Sequence, residues 1–428
     1  MKMIIKNGTV IDPISGTMQV KDLYVQDGQF LTPSGFTVEE ADQIIDANQM
    51  WVMPGFVDLH VHLREPGFEH KETIETGANA AARGGFTRIL AMPNTKPVTG
   101  TVQIVEYIKE KASLAPIHVE IVGAITKDQN GQELTPIQEM KDAGILAISE
   151  DGKSVADAGL YRDAMNKAAA CQIPVLAHCE DVKLMNGGYV NADHDTAKFG
   201  YKGITNSVED VIIARDLVLA KETGAKLHLC HCSTKDSVEM VRLAKEAGID
   251  VTAEVCPHHF VLSSNDLVAG DTNYKMNPPL RTTEDVEALI RGLSLNIMDV
   301  IATDHAPHSQ EEKNQSMEKA PFGIVGLETA ASLVYQYLVK PGHLSPMQMA
   351  EKMSTNPSKV IGKPFRGFVE GEVADLVIFD PNAEYVIQSK DFASKGKNTP
   401  FEGWSVQGRV QYTICDGKVV FDQSKELK

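Results

Sequence analysis

The stretch Phe56-Val57-Asp58-Leu59-His60-Val61-His62 ends an apolar run, and the predicted fold is arranged around it. Its apolar residues suit a buried strand, and successive side chains of a strand point to opposite faces. His60 and His62 therefore leave the strand on the same face, where both can bind one divalent metal. A pair of hydrogen-bonded histidines in a core or on a surface gives the same pattern. The choice depends on the ligands that later strands bring to the same place.

Strand-like segments separated by amphipathic stretches follow this one along the chain. The further segments are residues 87–92, 119–124, 145–149, 174–178, 226–231, 251–255 and 300–303. One helix is predicted before a stop at Gly84-Gly85, and another runs from an N-cap at Ser207 to Gly224. Eight strands that alternate with helices over roughly 300 residues predict an α/β fold, a (β/α)8 TIM barrel. The polar spans 186–205 and 309–321 are expected to form long loops over the active face.

Both ends of the chain carry short strand-like segments instead. They lie at residues 3–5, 10–13, 22–25 and 44–46 before the barrel, and at 374–380, 410–415 and 418–421 after it. Turn signals at Asp27-Gly28 and Asp416-Gly417 separate neighbouring strands. The N-terminal strands are too few to bury a good core alone, so both termini are expected to form one composite β-sandwich domain. The predicted division is 1–52 and 366–428 for this domain, and 53–365 for a metal-dependent catalytic barrel.

Composition restricts the functional class. The 428 residues are 43% hydrophobic and 23% charged, which is ordinary for a soluble globular protein. A net charge of −17 argues against a nucleic-acid-binding surface, although one local arginine can still bind an anionic small molecule. No stretch approaches about 18 consecutive apolar residues, so neither a membrane span nor a signal peptide is expected. Six cysteines without disulfide-framework spacing favour a reduced, cytoplasmic protein.

A TIM barrel places its catalytic residues at the carboxyl ends of the strands. Five of the eight predicted strands end in residues that bind metals: His60, His62, Asp151, His178, His231 and Asp304. Mixed histidine and aspartate ligation suits Zn²⁺, with Mn²⁺ or Co²⁺ as substitutes. Six ligands exceed what one tetrahedral ion with an open position needs. Two ions that share a bridging carboxylate and a bridging hydroxide fit the number better.

The expected division of the ligands is His60, His62 and Asp304 on one ion, and His178 and His231 on the other, with Asp151 between the ions. Asp304 is the predicted catalytic residue. It touches the hydroxide, so it can take a proton and deliver it to a leaving nitrogen.

A metal site with thiolate ligands, formed by Cys230, His231 and Cys232, is an alternative to the histidine and aspartate site. In a strand, however, both cysteines point away from His231, which favours packing against the helices. His228 is also expected to face away from His231. After the last strand, we expect His305 to hydrogen-bond behind the ligands.

Longer motifs then give the chain a family resemblance. They cover residues 54–67, 91–95, 177–180, 251–254, 275–281, 302–308, 320–323 and 397–401. On these motifs the chain resembles the amidohydrolase superfamily and, more closely, the long-chain bacterial (type I) dihydroorotases. The histidine pair with a late aspartate marks only the superfamily. Leu63-Arg64-Glu65-Pro66-Gly67 together with Asn277-Pro278-Pro279-Leu280-Arg281 is much more specific.

The resemblance implies a zinc-dependent, reversible cyclisation of N-carbamoyl-L-aspartate to L-dihydroorotate in de novo pyrimidine (UMP) biosynthesis. It also implies substrate contacts from His62, Arg64, Asn94, Asn277, His308, Phe322 and Gly323. A substrate with a free carboxylate needs a fixed donor fork such as Arg64. A surface ion pair with Glu65 or Glu69 is the alternative role for Arg64, and a turn before two prolines is the alternative for Asn277.

Many relatives in this family bridge their metals with a carbamylated lysine, whereas the matching position here is Asp151. Lys153 lies two residues further on, and a carbamylated Lys153 is the competing interpretation. We expect a homodimer with a small-molecule substrate, which associates with aspartate carbamoyltransferase and with neither nucleic acid nor membrane.

Two other functions remain open from the sequence. One is another cyclic-amide hydrolase, such as a hydantoinase or allantoinase, which shares the metals but lacks the carboxylate contact. Arg64 and Asn277 in their motifs favour the dihydroorotases over this class. The other is a non-catalytic scaffold that binds a pathway partner. A scaffold is expected to have lost metal ligands, and all six are present.

Overall fold

The computed structural model describes residues 1–32 and 35–426. The N-terminal strands are β1 (Lys2–Lys6), β2 (Thr9–Asp12), β3 (Thr17–Val20), β4 (Leu23–Gln26), β5 (Gln29–Leu31), β6 (Gln43–Asp46) and β7 (Trp51–Pro54). The first half of the barrel contains β8 (Phe56–Val61), α1 (Ile74–Arg83), β9 (Phe86–Ala91), α2 (Val102–Ala112), β10 (His118–Ala124), α3 (Ile137–Ala143), β11 (Ala147–Ser149), α4 (Ala158–Cys171) and β12 (Val175–Ala177).

A short excursion and the second half of the barrel follow. These elements are α5 (Val182–Met185), β13 (Val190–Asn191), α6 (His194–Ala197), β14 (Gly203–Ile204), α7 (Ser207–Thr223), β15 (Leu227–Leu229), α8 (Lys235–Glu246), β16 (Val251–Val255), α9 (Pro257–Val261), α10 (Thr283–Ser294), β17 (Val300–Ile301), α11 (Gln310–Lys313), α12 (Ala330–Val334), α13 (Pro346–Ala350) and α14 (Asn356–Val360). The chain ends with β18 (Leu376–Val386), β19 (Ser405–Cys415), β20 (Lys418–Asp422) and α15 (Gln423–Glu426).

Within the described residues, eight parallel strands form one sheet in the order β8-β9-β10-β11-β12-β15-β16-β17. A parallel bridge from Val61 to His305 brings the end of β8 against the chain that follows β17, so the sheet is a nearly closed barrel. Side chains alternate along the strands: Leu90 lies in the cluster inside the barrel, whereas Ile89 and Ala91 belong to the cluster that includes the surrounding helices. The predicted TIM barrel and its eight strands are confirmed.

Local sequence signals explain where the helices begin and end. In α1, the Thr73 side chain accepts a hydrogen bond from the Thr76 backbone, and the helix ends at Gly84 as predicted. α7 ends at Gly224, whose φ of +68° suits glycine. Its N-cap is Asn206 rather than the predicted Ser207, so that prediction was one residue wrong. The Ser207 hydroxyl is instead engaged with the Thr205 hydroxyl, 2.8 Å away.

The strands from the two ends of the described chain form two sheets, ordered β5-β4-β1-β6 and β20-β19-β18-β7-β2-β3. β18 pairs with β7, so the two ends of the chain share one sheet. Buried side chains of both sheets form one core, for example Met3 and Val25 against Leu376 and Ile414. The composite β-sandwich is confirmed. The domain limits stay a prediction, and the limit at 52/53 falls inside β7.

The two predicted loops contain regular elements. Residues 186–205 include β13, α6 and β14, and residues 309–321 include α11, so the prediction of irregular loops is corrected. Buried Arg281 holds the excursion, because its guanidinium donates to the Asn191 side chain and to the Ile204 carbonyl, each at 3.0 Å. In the part of the chain described, no helix combines the length and apolar character that crossing a bilayer requires.

Candidate active site at the carboxyl end of the barrel

The structure brings the six predicted metal ligands together, and we call them the rim cluster. They lie at the carboxyl ends of five strands: His60 in β8 and His62 after it, then Asp151 after β11, His178 after β12, His231 after β15 and Asp304 after β17. Parallel strands end at the same edge, so these side chains converge. Each is at most 7% exposed.

One half of the rim cluster contains His60 and His62, at the end of β8. The His60 Nε2 atom lies 3.2 Å from Asp151 Oδ1 and 3.6 Å from Asp304 Oδ1. The His62 Nε2 atom lies 3.1 Å from Asp304 Oδ1 and 3.4 Å from Asp151 Oδ2. Two imidazoles and two carboxylates thus surround one point.

The other half contains the histidines that follow β12 and β15. The His178 Nδ1 atom lies 2.9 Å from His231 Nε2 and 3.2 Å from Asp151 Oδ1. His231 Nε2 is 3.6 Å from the same carboxylate oxygen. Asp151 therefore belongs to both halves, as a bridging ligand would.

Two polar atoms of the rim cluster show that these residues fit a metal. His60 Nε2 and Asp151 Oδ1 are buried and, among the described residues, have no hydrogen-bond partner, although they lie 3.2 Å apart. Buried polar atoms normally have a partner. The free lone pairs belong to imidazole and carboxylate groups, which are donors that zinc and similar divalent ions accept. Ligand atoms lie within 4.8 Å of one another in the group His60, His62 and Asp151. The same holds for the group Asp151, His178 and His231.

The electrostatics of the rim cluster keep its carboxylates ionised. Burial alone would raise the pKa of Asp151, but His60, His178 and His231 outweigh it and hold that pKa well below its usual range. Burial likewise opposes ionisation of Asp304, and the hydrogen bond from His62 with the charge of His60 lowers its pKa. Both side chains are therefore anionic at neutral pH.

Two buried carboxylates behind the ligands were not assigned a role from the sequence. Glu254 accepts from His60 Nδ1 at 2.8 Å, from His228 Nε2 at 2.9 Å and from the His231 backbone at 3.1 Å. Asp58 accepts from the His60 backbone at 3.1 Å and from the Thr303 hydroxyl at 2.6 Å. Both residues lie within the quoted family motifs, but the partners of Glu254, and the Thr303 partner of Asp58, come from other parts of the chain. They orient the ends of β8, β15 and β17.

The prediction for Cys230 was wrong. Cys230 lies in the apolar cluster inside the barrel, with its sulfur in the same group as His60 and Glu254. Cys232 does pack in the cluster that includes the helices, as predicted. Strand alternation fails here because β15 ends at Leu229 and His231 has a φ of +35°.

Other residues near the ligands have separate partners. The Lys153 Nζ atom donates to the Gln129 carbonyl at 2.9 Å. His305 lies behind the ligands, 3.2 Å from Glu72, as expected from the sequence. The geometry therefore places the Asp151 carboxylate, and not the Lys153 amine, between the histidines.

A cavity of about 170 Å³ opens over the rim cluster. Its lining includes every residue predicted to contact the substrate: His62, Arg64, Asn94, Asn277, His308, Phe322 and Gly323. Five of the six rim-cluster residues also line it, whereas His60 lies beneath. The predicted substrate contacts and the predicted ligands thus share one pocket.

Arg64 is the cationic group of this cavity. Its Nε donates to the Pro307 carbonyl at 3.2 Å, and its Nη2 lies 3.3 Å from His308 Nε2. Burial lowers the pKa of Arg64 to about 10, so the side chain stays charged at neutral pH. The alternative ion pair is wrong, because Glu65 accepts from the Ile74 backbone and Glu69 from the Gly67 backbone.

The neutral groups of the cavity are held by protein partners. Asn94 Oδ1 accepts from His62 Nδ1 at 2.9 Å, so Asn94 also orients a ligand. Asn277 donates to Glu180, whose carboxylate also lies 3.4 Å from His178. His308 Nε2 donates to the Phe322 carbonyl at 2.8 Å. Several polar side chains of the cavity are therefore held in place by protein partners around the rim cluster.

Comparisons with known proteins agree with this site. The family model described as "Dihydro-orotase-like" matches residues 50–237. The dihydroorotase of Pelotomaculum thermopropionicum is 45% identical over 98% of this chain and 98% of its own length, and that of Shouchella clausii is 46% identical over 99% of each. The solved L-hydantoinase (dihydropyrimidinase) of Arthrobacter aurescens is 27% identical with a TM-score of 0.87, over 98% of this chain and 96% of that one. The chain therefore belongs to the dihydroorotase family of cyclic amidohydrolases.

Proposed function

We propose that this chain catalyses the reversible cyclisation of N-carbamoyl-L-aspartate to L-dihydroorotate in pyrimidine biosynthesis, with two zinc ions. The observation that carries the proposal is the charged Arg64 in one cavity with the rim cluster. A carboxylate-bearing substrate needs a cation at a fixed distance from the reacting amide. Membership of the dihydroorotase family agrees with this substrate.

We propose that His60, His62 and Asp304 would hold one ion, that His178 and His231 would hold the other, and that Asp151 would be a ligand common to both. Bound zinc supplies two kinds of chemistry, since it lowers the pKa of water and polarises a carbonyl oxygen. Glu254 accepts a hydrogen bond from His60 Nδ1, and this contact leaves His60 Nε2 free to bind a metal.

Asp304 is the proposed proton carrier. In the hydrolytic direction, a water oxygen forms a bond to the ring amide carbon, and the carbon–nitrogen bond breaks. The proton lost by the water passes to the Asp304 carboxylate, which then delivers it to the leaving nitrogen. The lowered pKa of Asp304 keeps it ready to accept this proton.

The other side chains of the cavity orient the substrate. We assign the free carboxylate of the substrate to Arg64, with Asn94 and His308 beside it. Asn277 and the backbone at Phe322 and Gly323 face the amide groups of the ring. Each of these groups already has a protein partner, so it loses little freedom when the substrate binds.

A comparison of cyclic amides tests the proposed substrate. Zinc-loaded protein is assayed with L-dihydroorotate, hydantoin and allantoin, and we expect turnover of L-dihydroorotate to exceed that of the other two. Preferred turnover of hydantoin or allantoin would contradict the proposal, as would metal content without turnover of any of them. The latter result would indicate a scaffold.

Replacing Arg64 tests the carboxylate contact. A lost charge-assisted contact is worth about 1.5–3 kcal/mol, so Arg64→Ala should raise KM for L-dihydroorotate about 10- to 100-fold. Arg242→Ala is the matched control, because Arg242 pairs with Glu239 and Glu246 on the surface of α8. An unchanged KM in Arg64→Ala would contradict the assignment.

We also propose that the protein is a cytoplasmic homodimer that associates with aspartate carbamoyltransferase. The proposal rests on the family resemblance and, for the compartment, on the cysteines, which are free in the structure. Sedimentation of the protein alone and mixed with aspartate carbamoyltransferase tests it. A monomer that does not shift in the mixture would contradict both assemblies.

A further inference from the structure

A second group of metal-binding side chains lies at the end of β16, outside the rim cluster. It consists of Cys256, which follows the strand, and of His258 and His259 in the first turn of α9, and we call it the CHH cluster. The three side chains are 0%, 2% and 2% exposed, respectively. One donor atom from each lies within 4.8 Å of the others.

Two ring nitrogens of the CHH cluster have no hydrogen-bond partner among the described residues. His259 Nε2 donates to the Pro278 carbonyl at 3.0 Å, which leaves the lone pair on Nδ1. In the described structure neither this Nδ1 nor His258 Nε2 has a hydrogen-bond partner, and both atoms are buried. Buried nitrogen atoms of this kind require an explanation.

Both rings are in the protonation state that binds a metal. Burial lowers the pKa of His258 to about 4. Burial, together with the neighbouring His258, holds the pKa of His259 well below its usual range. At neutral pH each imidazole is therefore neutral and offers a lone pair.

We propose that Cys256, His258 and His259 bind a zinc ion that is additional to the metals of the rim cluster. One thiolate and two imidazoles are donors that zinc prefers, and three protein ligands leave one position for water. The Cys256 thiol releases its proton to solvent when the metal binds, and no electron transfer is involved. The two clusters share no residue, so the ion at the CHH cluster does not depend on the proposed reaction.

Cobalt substitution of the full-length protein distinguishes the two clusters. Metal-free protein is loaded with Co²⁺, and the near-ultraviolet charge-transfer band from thiolate to cobalt is recorded. The rim cluster contains only nitrogen and oxygen donors, so it gives no such band. We expect the band in the wild-type protein and its loss in Cys256→Ser.

Cys230→Ser is the matched control, because Cys230 is also buried and its sulfur belongs to a group with His60 and Glu254. The band should persist in this variant. Absence of the band from the wild-type protein, its survival in Cys256→Ser or its loss in Cys230→Ser would each overturn the proposal.

A second variant keeps the test valid if Cys256→Ser does not fold. His258→Gln retains the thiol, and zinc per chain is counted by mass spectrometry of the dialysed protein. We expect one zinc fewer per chain than in the wild-type protein. An equal zinc content would overturn the proposal, since it would mean that His258 holds no zinc ion.

Discussion

The apolar layer inside the barrel and the rim cluster at its carboxyl end lie on the same strands but differ in their energetics. Leu59 precedes His60, and Leu176 lies two residues before His178, and all four side chains are almost fully buried. Burial of the leucines stabilises the fold. Burial of charged carboxylates and imidazoles costs free energy unless they are paired or bind a metal. The rim cluster is therefore explained by function and the inner layer by stability.

Backbone conformation shows the same difference. Arg64, His231 and Asp304 have φ angles of +63°, +35° and +48°. Positive φ is uncommon outside glycine, and such residues cost on the order of 1–3 kcal/mol each. All three lie just beyond the ends of barrel strands, and each lines the cavity. The regular strands thus support a strained edge that holds the reactive groups.

The largest expected effect on turnover comes from Asp151→Asn. This change removes the anionic ligand common to both halves of the rim cluster, so activity should disappear and the bound metal should decrease. Thermal unfolding of the metal-free protein should change little. Turnover, metal content and the melting temperature are measured beside Asp142→Asn, an exposed aspartate of α3. Full activity in Asp151→Asn would contradict the view that the rim cluster serves function and the inner layer stability.

Asp304→Asn should have the next largest effect. It keeps the size of the side chain but removes the proton acceptor, so kcat should decrease about 10²- to 10⁴-fold while the fold persists. Steady-state kinetics with L-dihydroorotate and circular dichroism check this. Near-normal kcat would exclude Asp304 as the proton carrier.

Glu254→Gln tests the support behind the ligands. The glutamate orients His60 and His228, and loss of such a partner weakens metal binding by about 10- to 100-fold. The activity should return at higher zinc concentration. Titration of metal-free protein with zinc measures this, and an unchanged midpoint would show that Glu254 has no part in the site.

The smallest effect on turnover is expected from Leu176→Ala in the inner layer. A buried leucine cut to alanine costs about 2–5 kcal/mol of unfolding free energy. The folded fraction should keep its kcat, because Leu176 contacts no reacting group. Urea unfolding and steady-state kinetics at low temperature check both statements. A large loss of kcat in fully folded protein would contradict the assignment of Leu176 to stability.

The sequence predicts the inner layer and the convergence of the rim cluster well, for one physical reason. Apolar runs with the period of a strand mark the barrel strands, and the position just after each run marks the rim. His60, His178 and Asp304 could therefore be found before any coordinates existed.

Other features depend on the three-dimensional arrangement. The partners of Glu254 come from β8 and from the end of β15, so no local pattern reveals them. Cys230 was misplaced because the positive φ of His231 breaks the alternation on which the prediction relied. β13 and β14 were missed because two residues are too few to show a period.

The most direct test of the account is an assay of metal dependence in both directions. Purified zinc-loaded protein is given L-dihydroorotate and, separately, N-carbamoyl-L-aspartate, before and after removal of metal by a chelator. The account predicts turnover of both compounds, its loss with the metal and its return when zinc is added. Turnover that survives complete removal of metal, or no turnover with the rim cluster loaded, would contradict it.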